Sequence, residues 1–285
     1  MIGVVNVNKP KGITSSDVVV KIKKTLNLKK VGHMGTLDPL ATGVLPICVG
    51  KATRLFDYFL KKRKTYIAQF KFGEETDSLD LEGEVVKTSN NIPTKEDILK
   101  ILKTLIGPSK QIPPMFSSKK INGKKACDLA RKGVTVELKP CDIILYEYSL
   151  LNQLSSNTFE FKITCSAGTY IRCLARDLAN KLNSCATMIS LNRVKAGPFT
   201  LENSINFEDI SKENIEKSIL SLEKVLIDFE KIVISQQDFQ KLLNGLKLNI
   251  NNKQENVDYA VVCDNQIIGI GQVNNNQLKL KTFLA

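Results

Sequence analysis

The stretch GHMGTLDPLATGVLP, residues 32–46, places one carboxylate, Asp38, among glycines, prolines and apolar residues in a basic chain. Asp38 precedes Pro39, which biases it toward an extended or turn conformation, and nearby glycines let the backbone approach a ligand closely. An Asp before a Pro is by itself typical of a turn or a helix cap. The chemical alternative is that Asp38 acts as a nucleophile or base and is oriented by an arginine.

Residue types that are rare in the chain narrow the chemistry further. The sequence has neither a dinucleotide-binding glycine motif nor a P-loop, and its one histidine, His33, excludes a multi-histidine metal site. The seven cysteines are odd in number and never spaced as CxxC, which is typical of reduced packing residues. We therefore expect carboxylate chemistry with no metal and no cofactor.

Size and charge indicate the class of partner. The chain has 285 residues and a formal charge of +12, which favours a polyanionic partner such as RNA or DNA. Beyond residue 230 the sequence changes to short strand-like segments separated by polar Asn/Gln-rich turns. This change predicts a catalytic domain over 1–229 and a small β-rich C-terminal domain over 230–285. No apolar run approaches the roughly 20 residues that cross a bilayer, and no leader precedes the first strand, so we expect a cytoplasmic protein with no membrane partner.

Hydrophobic periodicity predicts the elements that position these residues. Strict alternation in KTYIAQFKFG predicts a strand, and FEFKITCSAG alternates in the same way. Residues 15–17 offer a helix cap, and Thr94 with Asp97 forms a capping box. A helix in TRLFDYFLK is predicted to bury Leu55, Phe56, Phe59 and Leu60. The irregular order of strands and helices predicts an α+β fold around a mixed, mainly antiparallel sheet with flanking helices.

A family resemblance extends along most of the chain. GHMGTLDPLATGVLPICVGKATRL resembles the signature of the bacterial tRNA pseudouridine synthases of the TruB type, which modify uridine 55 in the T loop. Further blocks resemble that family in the same order: NKPKGITSSDVV, KTYIAQFKFGEETDSLDLEG, IPPMFSSKKINGKKACDLARKG, SAGTYIRCLARDLA and MISLNRVKAGPF. The resemblance implies the pseudouridine synthase fold and an isomerase that flips its target base. It also implies that the enzyme binds the T arm of tRNA without a cofactor, as a monomer and without an obligatory protein partner.

The resemblance assigns catalytic roles to three residues. Asp38 matches the family's essential aspartate, and Arg172 matches the arginine that pairs with it. Tyr66 matches the tyrosine that stacks on the target base and can assist proton removal at C5. The plainer alternatives are a surface arginine and a core tyrosine. An arginine in the first turn of a helix opposes the helix dipole, which by itself favours a specific partner for Arg172.

The resemblance also implies substrate contacts. His33 matches a histidine that fills the space left by the flipped base, Asp80 an acidic residue near the RNA, and Leu191 an apolar residue that packs on the base. In the basic segment SKKINGKKACDLARKG, Lys119 and Lys124 are candidates for phosphate contacts. The plainer alternatives are a loop histidine, a turn aspartate, a buried leucine and a solvated run of charge.

Two rival functions stay open from the sequence. A uracil-releasing glycosylase would use the same aspartate but needs a second acid or a group that activates water. A non-catalytic RNA chaperone would suit the charge but would not need Asp38 or Arg172. The C-terminal strands resemble a small PUA-like RNA-binding domain only weakly.

Overall fold

A computed structural model describes residues 1–117, 120, 121, 123–126, 134 and 138–285. Within these residues, ten strands form one mixed sheet and five strands form a second sheet. Helices lie between and beside the strands, so the α+β class predicted from the sequence is confirmed.

The helices of the described residues are α1 (Ser15–Leu26), α2 (Phe56–Leu60), α3 (Lys95–Leu105), α4 (Ile171–Lys181), α5 (Lys212–Ser218), α6 (Leu222–Val225) and α7 (Gln236–Leu243), with a 3₁₀ helix over Gly50–Leu55. The strands are β1 (Gly3–Lys9), β2 (Val31–His33), β3 (Thr42–Val49), β4 (Lys64–Phe72), β5 (Glu74–Thr76), β6 (Val85–Thr88), β7 (Gly107–Gln111), β8 (Lys120–Ile121), β9 (Lys124–Lys125), β10 (Cys141–Gln153), β11 (Thr158–Cys165), β12 (Ala186–Ala196), β13 (Phe199–Thr200), β14 (Ile205–Asn206), β15 (Lys231–Val233), β16 (Leu248–Asn249), β17 (Asp258–Cys263), β18 (Gln266–Asn274) and β19 (Gln277–Phe283). None of the described helices is long and apolar enough to cross a membrane.

The large sheet brings distant parts of the sequence side by side. Its order is β14-β1-β3-β12-β4-β11-β10-β7, with β2 beside β3 and β13 beside β12. β1 pairs with β14 and β12 pairs with β3 in parallel, while the other pairs are antiparallel. Residues near 40, 66 and 192 therefore meet at the centre of the sheet.

Strand β4 shows why one face of this sheet is the core. Its residues alternate between buried and half-buried along the whole strand, and the buried positions are Lys64, Tyr66, Ala68, Phe70 and Phe72. Alternate side chains of a strand point to opposite faces, so one face packs and the other meets solvent. Apolar residues of α3 and α4 cover the packed face, among them Ile98, Leu102, Leu174 and Leu178.

The ends of α1 and α3 follow from their sequences. Thr14 caps α1 by accepting a hydrogen bond from the backbone N–H of Asp17, whose carboxylate accepts one in return from the N–H of Thr14. Thr94 and Asp97 form the same capping box at α3, as predicted. In α1, the N-cap is Thr14, one residue before the predicted residues 15–17; of these, Asp17 takes part in the capping box, and Ser15 is buried and has a different partner.

The segment TRLFDYFLK departs from its predicted pattern. It enters α2 through the 3₁₀ helix, and only two of its four predicted core residues, Leu55 and Phe59, are buried. Phe56 and Leu60 are exposed. A 3₁₀ helix has three residues per turn and an α-helix has 3.6. The change from one to the other within this segment leaves only Leu55 and Phe59 on the buried side.

The second sheet has the order β15-β17-β18-β19-β16. It shares an apolar cluster with the large sheet, in which Val4 and Val44 meet residues such as Ile270 and Leu284. Polar contacts add to this junction: Arg54 Nη1 donates to the carbonyl of Phe283 over 2.6 Å. A domain boundary at residue 230 stays a prediction, because the two sheets share this core.

Leu284 offers a test of the junction. It is fully buried in the shared cluster, so Leu284→Ala should cost about 2–4 kcal/mol of unfolding free energy. We expect the thermal midpoint to fall by about 3–7 °C in a scan of the whole protein. Leu246→Ala is the matched control, because Leu246 is 57% exposed and should leave the midpoint nearly unchanged. Equal midpoints for the two variants would contradict the shared core.

Candidate active site

The loop that joins β2 to β3, residues 34–41, carries Asp38, and we call it the Asp38 loop. Leu37 and Leu40 on either side of Asp38 are buried, whereas the Asp38 side chain is 43% exposed. Two apolar anchors therefore fix the backbone and leave the carboxylate at the surface of the site. The backbone N–H of Ala41 donates to the carbonyl of Asp38 over 3.0 Å and closes the turn.

Arg172 binds two carboxylates at once. Its Nη2 lies 3.1 Å from Asp38 Oδ2, and its Nη1 lies 3.0 Å from Asp80 Oδ2. The guanidinium is almost fully buried and also donates to the carbonyls of Ser78 and Phe116, over 2.9 and 3.0 Å. The predicted partners Asp38 and Arg172 are thus in contact, although residues 38 and 172 are far apart in the sequence.

Asp80 is held more firmly than Asp38. Its side chain is 5% exposed, and its Oδ1 accepts hydrogen bonds from Ser78 Oγ at 2.6 Å and from the N–H of Glu82 at 3.1 Å. Its own carbonyl accepts a hydrogen bond from Thr76 Oγ1 at 2.6 Å. The predicted contact of Asp80 with RNA stays a prediction; in the structure its carboxylate anchors Arg172.

Helix α4 begins with a backbone held by a neighbouring side chain. The amide of Gln111 accepts from the N–H of Tyr170 over 2.8 Å and donates to its carbonyl over 3.1 Å. Arg172 then lies in the first turn, where the positive end of the helix dipole opposes a cation. The carboxylates of Asp38 and Asp80 offset this unfavourable position.

Ser15 is a site residue that sequence reasoning missed. Its hydroxyl donates to the carbonyl of Leu37 over 2.9 Å and accepts from the N–H of Leu37 over 2.8 Å. This pair of hydrogen bonds holds the backbone next to Asp38 against the start of α1. Its place in the run TSSD predicted a helix cap, and no signal in the sequence pointed to a partner 22 residues away.

Lys9 holds the Asp38 loop through hydrogen bonds to backbone carbonyls. Its side chain is fully buried, and its three N–H groups donate to the carbonyls of Pro10, Ile13 and Pro39. Burial lowers the pKa of Lys9 to about 8, and the nearby Asp38 carboxylate opposes that shift. An ammonium group with three donors matches three carbonyl oxygens, so Lys9 ties β1 to the residue after Asp38.

Arg193 is the third missed residue. It is 1% exposed and donates to the carbonyls of Gly35, Thr36 and Val44. The alternation of side chains along β12 could have indicated its burial, because Leu191 and Arg193 lie two residues apart and so share the buried face.

Tyr66 and Leu191 form apolar surface beside this loop. Both are more than nine-tenths buried, and in the pairing of β4 with β12 Arg193 lies opposite Tyr66 and Leu191 opposite Ala68. Burial raises the pKa of Tyr66, and the charge of Arg193 partly opposes the rise. Tyr66 is therefore a neutral phenol near pH 7. Its stacking on a base, like that of Leu191, stays a prediction.

His33 ends β2 at the edge of the Asp38 loop. Its Nδ1 is buried and has no hydrogen-bond partner among the described residues. Burial lowers the pKa of His33, and the charge of Arg193 lowers it further. The imidazole is therefore neutral near pH 7.

The basic segment is only partly described. Lys119 lies outside the described residues, as do Arg131 and Lys132. The backbone of Lys124 pairs with Ile121 in the β8–β9 hairpin. Phosphate contacts by Lys119 and Lys124 stay predictions.

Comparisons with known proteins agree on one family. A family model described as TruB family pseudouridylate synthase (N terminal domain) matches residues 23–171. The chain is 41% identical over 291 residues to tRNA pseudouridine synthase B of Clostridium perfringens (strain SM101 / Type A), covering 100% of this chain and 99% of that protein. It is 43% identical over 290 residues to tRNA pseudouridine synthase B of Clostridium tetani (strain Massachusetts / E88), covering 100% of both.

A solved structure shares the fold. A chain from a structure described as an H/ACA RNP bound to a substrate RNA containing 2′-deoxyuridine matches with a TM-score of 0.76. The match covers 99% of this chain and 85% of that one at 23% identity. Together with the family match, this likeness confirms the predicted fold.

His33 gives a direct test of the burial of the site. As the one histidine of the chain, it contributes one set of ring signals to an NMR titration. We expect a midpoint below the ordinary value of 6.5 in the folded protein and near 6.5 in urea. Between these two values the unfolded chain binds more protons, so the contribution of His33 to stability rises with pH and is lost as pH falls through the window. A folded-state midpoint at or above 6.5 would contradict the buried, neutral imidazole.

Proposed function

Because this chain belongs to the TruB family of pseudouridylate synthases, we propose that it isomerises uridine 55 in the T loop of tRNA, with Asp38 as the catalytic carboxylate. The curated relatives are named tRNA pseudouridine synthase B, which supports tRNA as the substrate. The formal charge of +12 suits a polyanion of this kind.

The observation that carries the proposal is that the two carboxylates paired with Arg172 differ in burial and in hydrogen bonding. Asp80 is buried and fully hydrogen-bonded, whereas Asp38 is 43% exposed and uses Oδ2 for its ion pair. Glycosidases that transfer a sugar to water use two available carboxylates. Around Arg172, the described residues leave one carboxylate free to act at a ribose, which suits transfer of C1′ back to the same base.

The isomerisation balances without a cofactor. The bond from N1 to C1′ breaks, the uracil turns within the site, and a bond from C5 to C1′ forms. C5 then loses a proton and N1 gains one, so nothing is oxidised or hydrolysed. Asp38 acts at the ribose either by attack on C1′ or by removal of the C2′ proton. Both routes require a carboxylate at a fixed position, which the short contact with Arg172 provides.

Tyr66 and Leu191 receive the uracil. Their buried positions beside the Asp38 loop offer a flat ring and an apolar side chain to the two faces of a base. The pKa of Tyr66 is raised by burial, so the neutral phenol that stacks is its resting form. After the base has turned, the neutral phenol of Tyr66 can take the C5 proton only if it passes its own proton on, and N1, which gains a proton in the isomerisation, is the acceptor for it.

His33 and the basic surface give the RNA access to the site. A uridine in a folded loop must leave its stack at a cost of a few kcal/mol, and the His33 ring next to the Asp38 loop fills the vacated space. Asp80 would act on the RNA through Arg172. Lys119 and Lys124 would contact phosphates of the RNA.

The remaining parts of the proposal concern the whole chain. Residues 1–229 form the catalytic domain, and residues 230–285 form a PUA-like domain that binds a further part of the tRNA. The enzyme works as a monomer in the cytoplasm, where tRNA is processed, without an obligatory protein partner. The full-length match to the curated relatives supports treating the whole chain as one enzyme of this kind.

Asp38→Asn tests the chemistry. The amide keeps the shape of the side chain but loses its charge and nucleophilicity, so turnover should vanish while tRNA binding is nearly unchanged. The assay maps pseudouridine in an unmodified tRNA transcript, and wild type should give product at position 55. Asp57→Asn is the control, because Asp57 is exposed on α2 and should react like wild type. A tenth of the wild-type rate in Asp38→Asn would remove Asp38 from the chemistry, and free uracil as product would indicate a glycosylase.

Lys29 and Lys30 test where the stem of the RNA lies. Both are exposed and directly precede β2, whose three residues end at His33. The length of this strand, about 10 Å, therefore separates the two lysines from His33. If they contact phosphates, Lys29→Gln with Lys30→Gln should weaken tRNA binding and lower the slope of log affinity against log salt by about 1–2. Single-turnover rates at saturating enzyme should not change. The matched double variant Lys212→Gln with Lys224→Gln removes the same charge elsewhere, and an equal slope change there would refute a local contact.

A further inference from the structure

Arg193 is a buried cation without an acidic partner. It is the largest fully buried side chain, and none of the ion pairs among the described residues includes it. Burying an unpaired charge is costly unless other groups solvate it. Here backbone carbonyls do so: Nε donates to Val44 over 2.7 Å, Nη2 to Gly35 over 3.0 Å and Nη1 to Thr36 over 3.4 Å.

These carbonyls lie on both sides of Asp38. Gly35 and Thr36 belong to the Asp38 loop before the carboxylate, and Val44 belongs to β3 after it. The planar guanidinium has donors at fixed angles, so it sets the distance between the two ends of the loop. Lys9 and Ser15 hold only the middle of the loop, at Pro39 and Leu37.

The backbone of β12 also contacts the chain close to the Asp38 loop, at Gly43 of β3. Arg193 pairs in parallel with Gly43, whose positive φ of 101° and lack of a side chain allow the approach. A Cβ at Gly43 would lie 2.3 Å from the carbonyl oxygen of Arg193. The main chain of Arg193 therefore contacts the start of β3, directly after the Asp38 loop, while its side chain contacts the loop itself.

The charge of Arg193 also reaches the groups around the loop. It lowers the pKa of His33 and of Lys64, in each case after burial, and it opposes the rise that burial causes in Tyr66. The guanidinium thus lies centrally among the buried titratable groups of the site. A residue that served packing alone would not need this charge, since an apolar side chain fills such a space at less cost.

We propose that Arg193 is a positioning residue of the isomerisation: its buried guanidinium clamps both ends of the Asp38 loop and so fixes the catalytic carboxylate against the ribose. This inference rests on the proposed function, because it takes Asp38 as the reacting group. Arg193 itself contacts backbone carbonyls and reaches the Tyr66 side chain, and it does not touch the reacting atoms.

Arg193→Lys separates charge from geometry. Lysine keeps the charge but loses the rigid fork, and small misplacements of a reacting group cost on the order of a hundredfold in rate. We expect the single-turnover rate at saturating enzyme to fall about a hundredfold, with the tRNA dissociation constant within about threefold of wild type. A rate above one third of wild type would overturn the clamp.

The His33 titration distinguishes positioning from loss of structure. In Arg193→Lys the nearby charge stays, so the His33 midpoint should match that of wild type. In Arg193→Gln the charge is gone, and the midpoint should move upward while the ring signals stay at folded positions. An unchanged midpoint in folded Arg193→Gln would contradict the central place of this charge, and signals at unfolded positions would identify a variant that cannot be used for rates.

Gly35→Ala tests the clamp from the loop side, in case Arg193 variants do not fold. Gly35 has a φ of 121°, so alanine strains the backbone beside the carbonyl that Arg193 binds. Gly107→Ala is the control, with a similar φ of 109° and open space around the Cβ. We expect both variants to lose similar stability, and only Gly35→Ala to lose about tenfold or more in single-turnover rate. Equal rates for the two variants would overturn the proposal.

Failure of this inference can be told apart from failure of the proposed function. If Asp38→Asn abolishes turnover while Arg193→Lys and Gly35→Ala keep it, the function stands and the clamp is wrong. If Asp38→Asn keeps turnover, the proposed function fails, and the inference about Arg193 fails with it.

Discussion

The site depends on one guanidinium shared by two carboxylates. Arg172 joins the half-exposed Asp38 to the buried Asp80, over 3.1 and 3.0 Å. Asp80 is in turn fixed by Ser78 and by the backbone of Glu82, so the chain of contacts ends in a rigid turn. A surface ion pair by itself is weak, because both side chains lose freedom. Here one partner and the arginine are already immobile, so only the Asp38 side chain has to be ordered.

Around this ion pair, the fold uses cations to hold backbone. Lys9 and Arg193 each donate to three carbonyl oxygens, and most of these belong to the Asp38 loop or to residues beside it. Carbonyl dipoles solvate a buried charge without neutralising it. A carboxylate in the same place would cancel the charge and compete with Asp38 for Arg172. This arrangement keeps the loop rigid and leaves a positive environment beneath it.

The sequence predicted local features well and long-range contacts only where the family resemblance supplied them. Alternation in β4 and the capping box at Thr94 depend on neighbours within a few residues, and both were correct. The prediction that Phe56 and Leu60 are buried was wrong because a 3₁₀ turn changed the helical phase. The contacts of Asp80, Ser15 and Arg193 could not be read from spacing. Each joins residues brought together only by the pairing of β3, β12 and β4 or by the packing of α1 and α4 on the sheet.

In the proposed reaction, the positive charge of the same cations surrounds the place where the base leaves. When the bond from N1 to C1′ breaks, its electrons remain on the uracil, so negative charge develops on a group that must stay in the site. Arg172, Arg193 and Lys9 outnumber Asp38 and Asp80 among the described residues around the loop. Fixed positive charge in a buried site stabilises developing negative charge and needs no reorganisation at that moment. Buried apolar walls such as Tyr66 and Leu191 limit the water that could trap C1′. An isomerase needs both effects together, because a base that is released but not retained would make the reaction a hydrolysis.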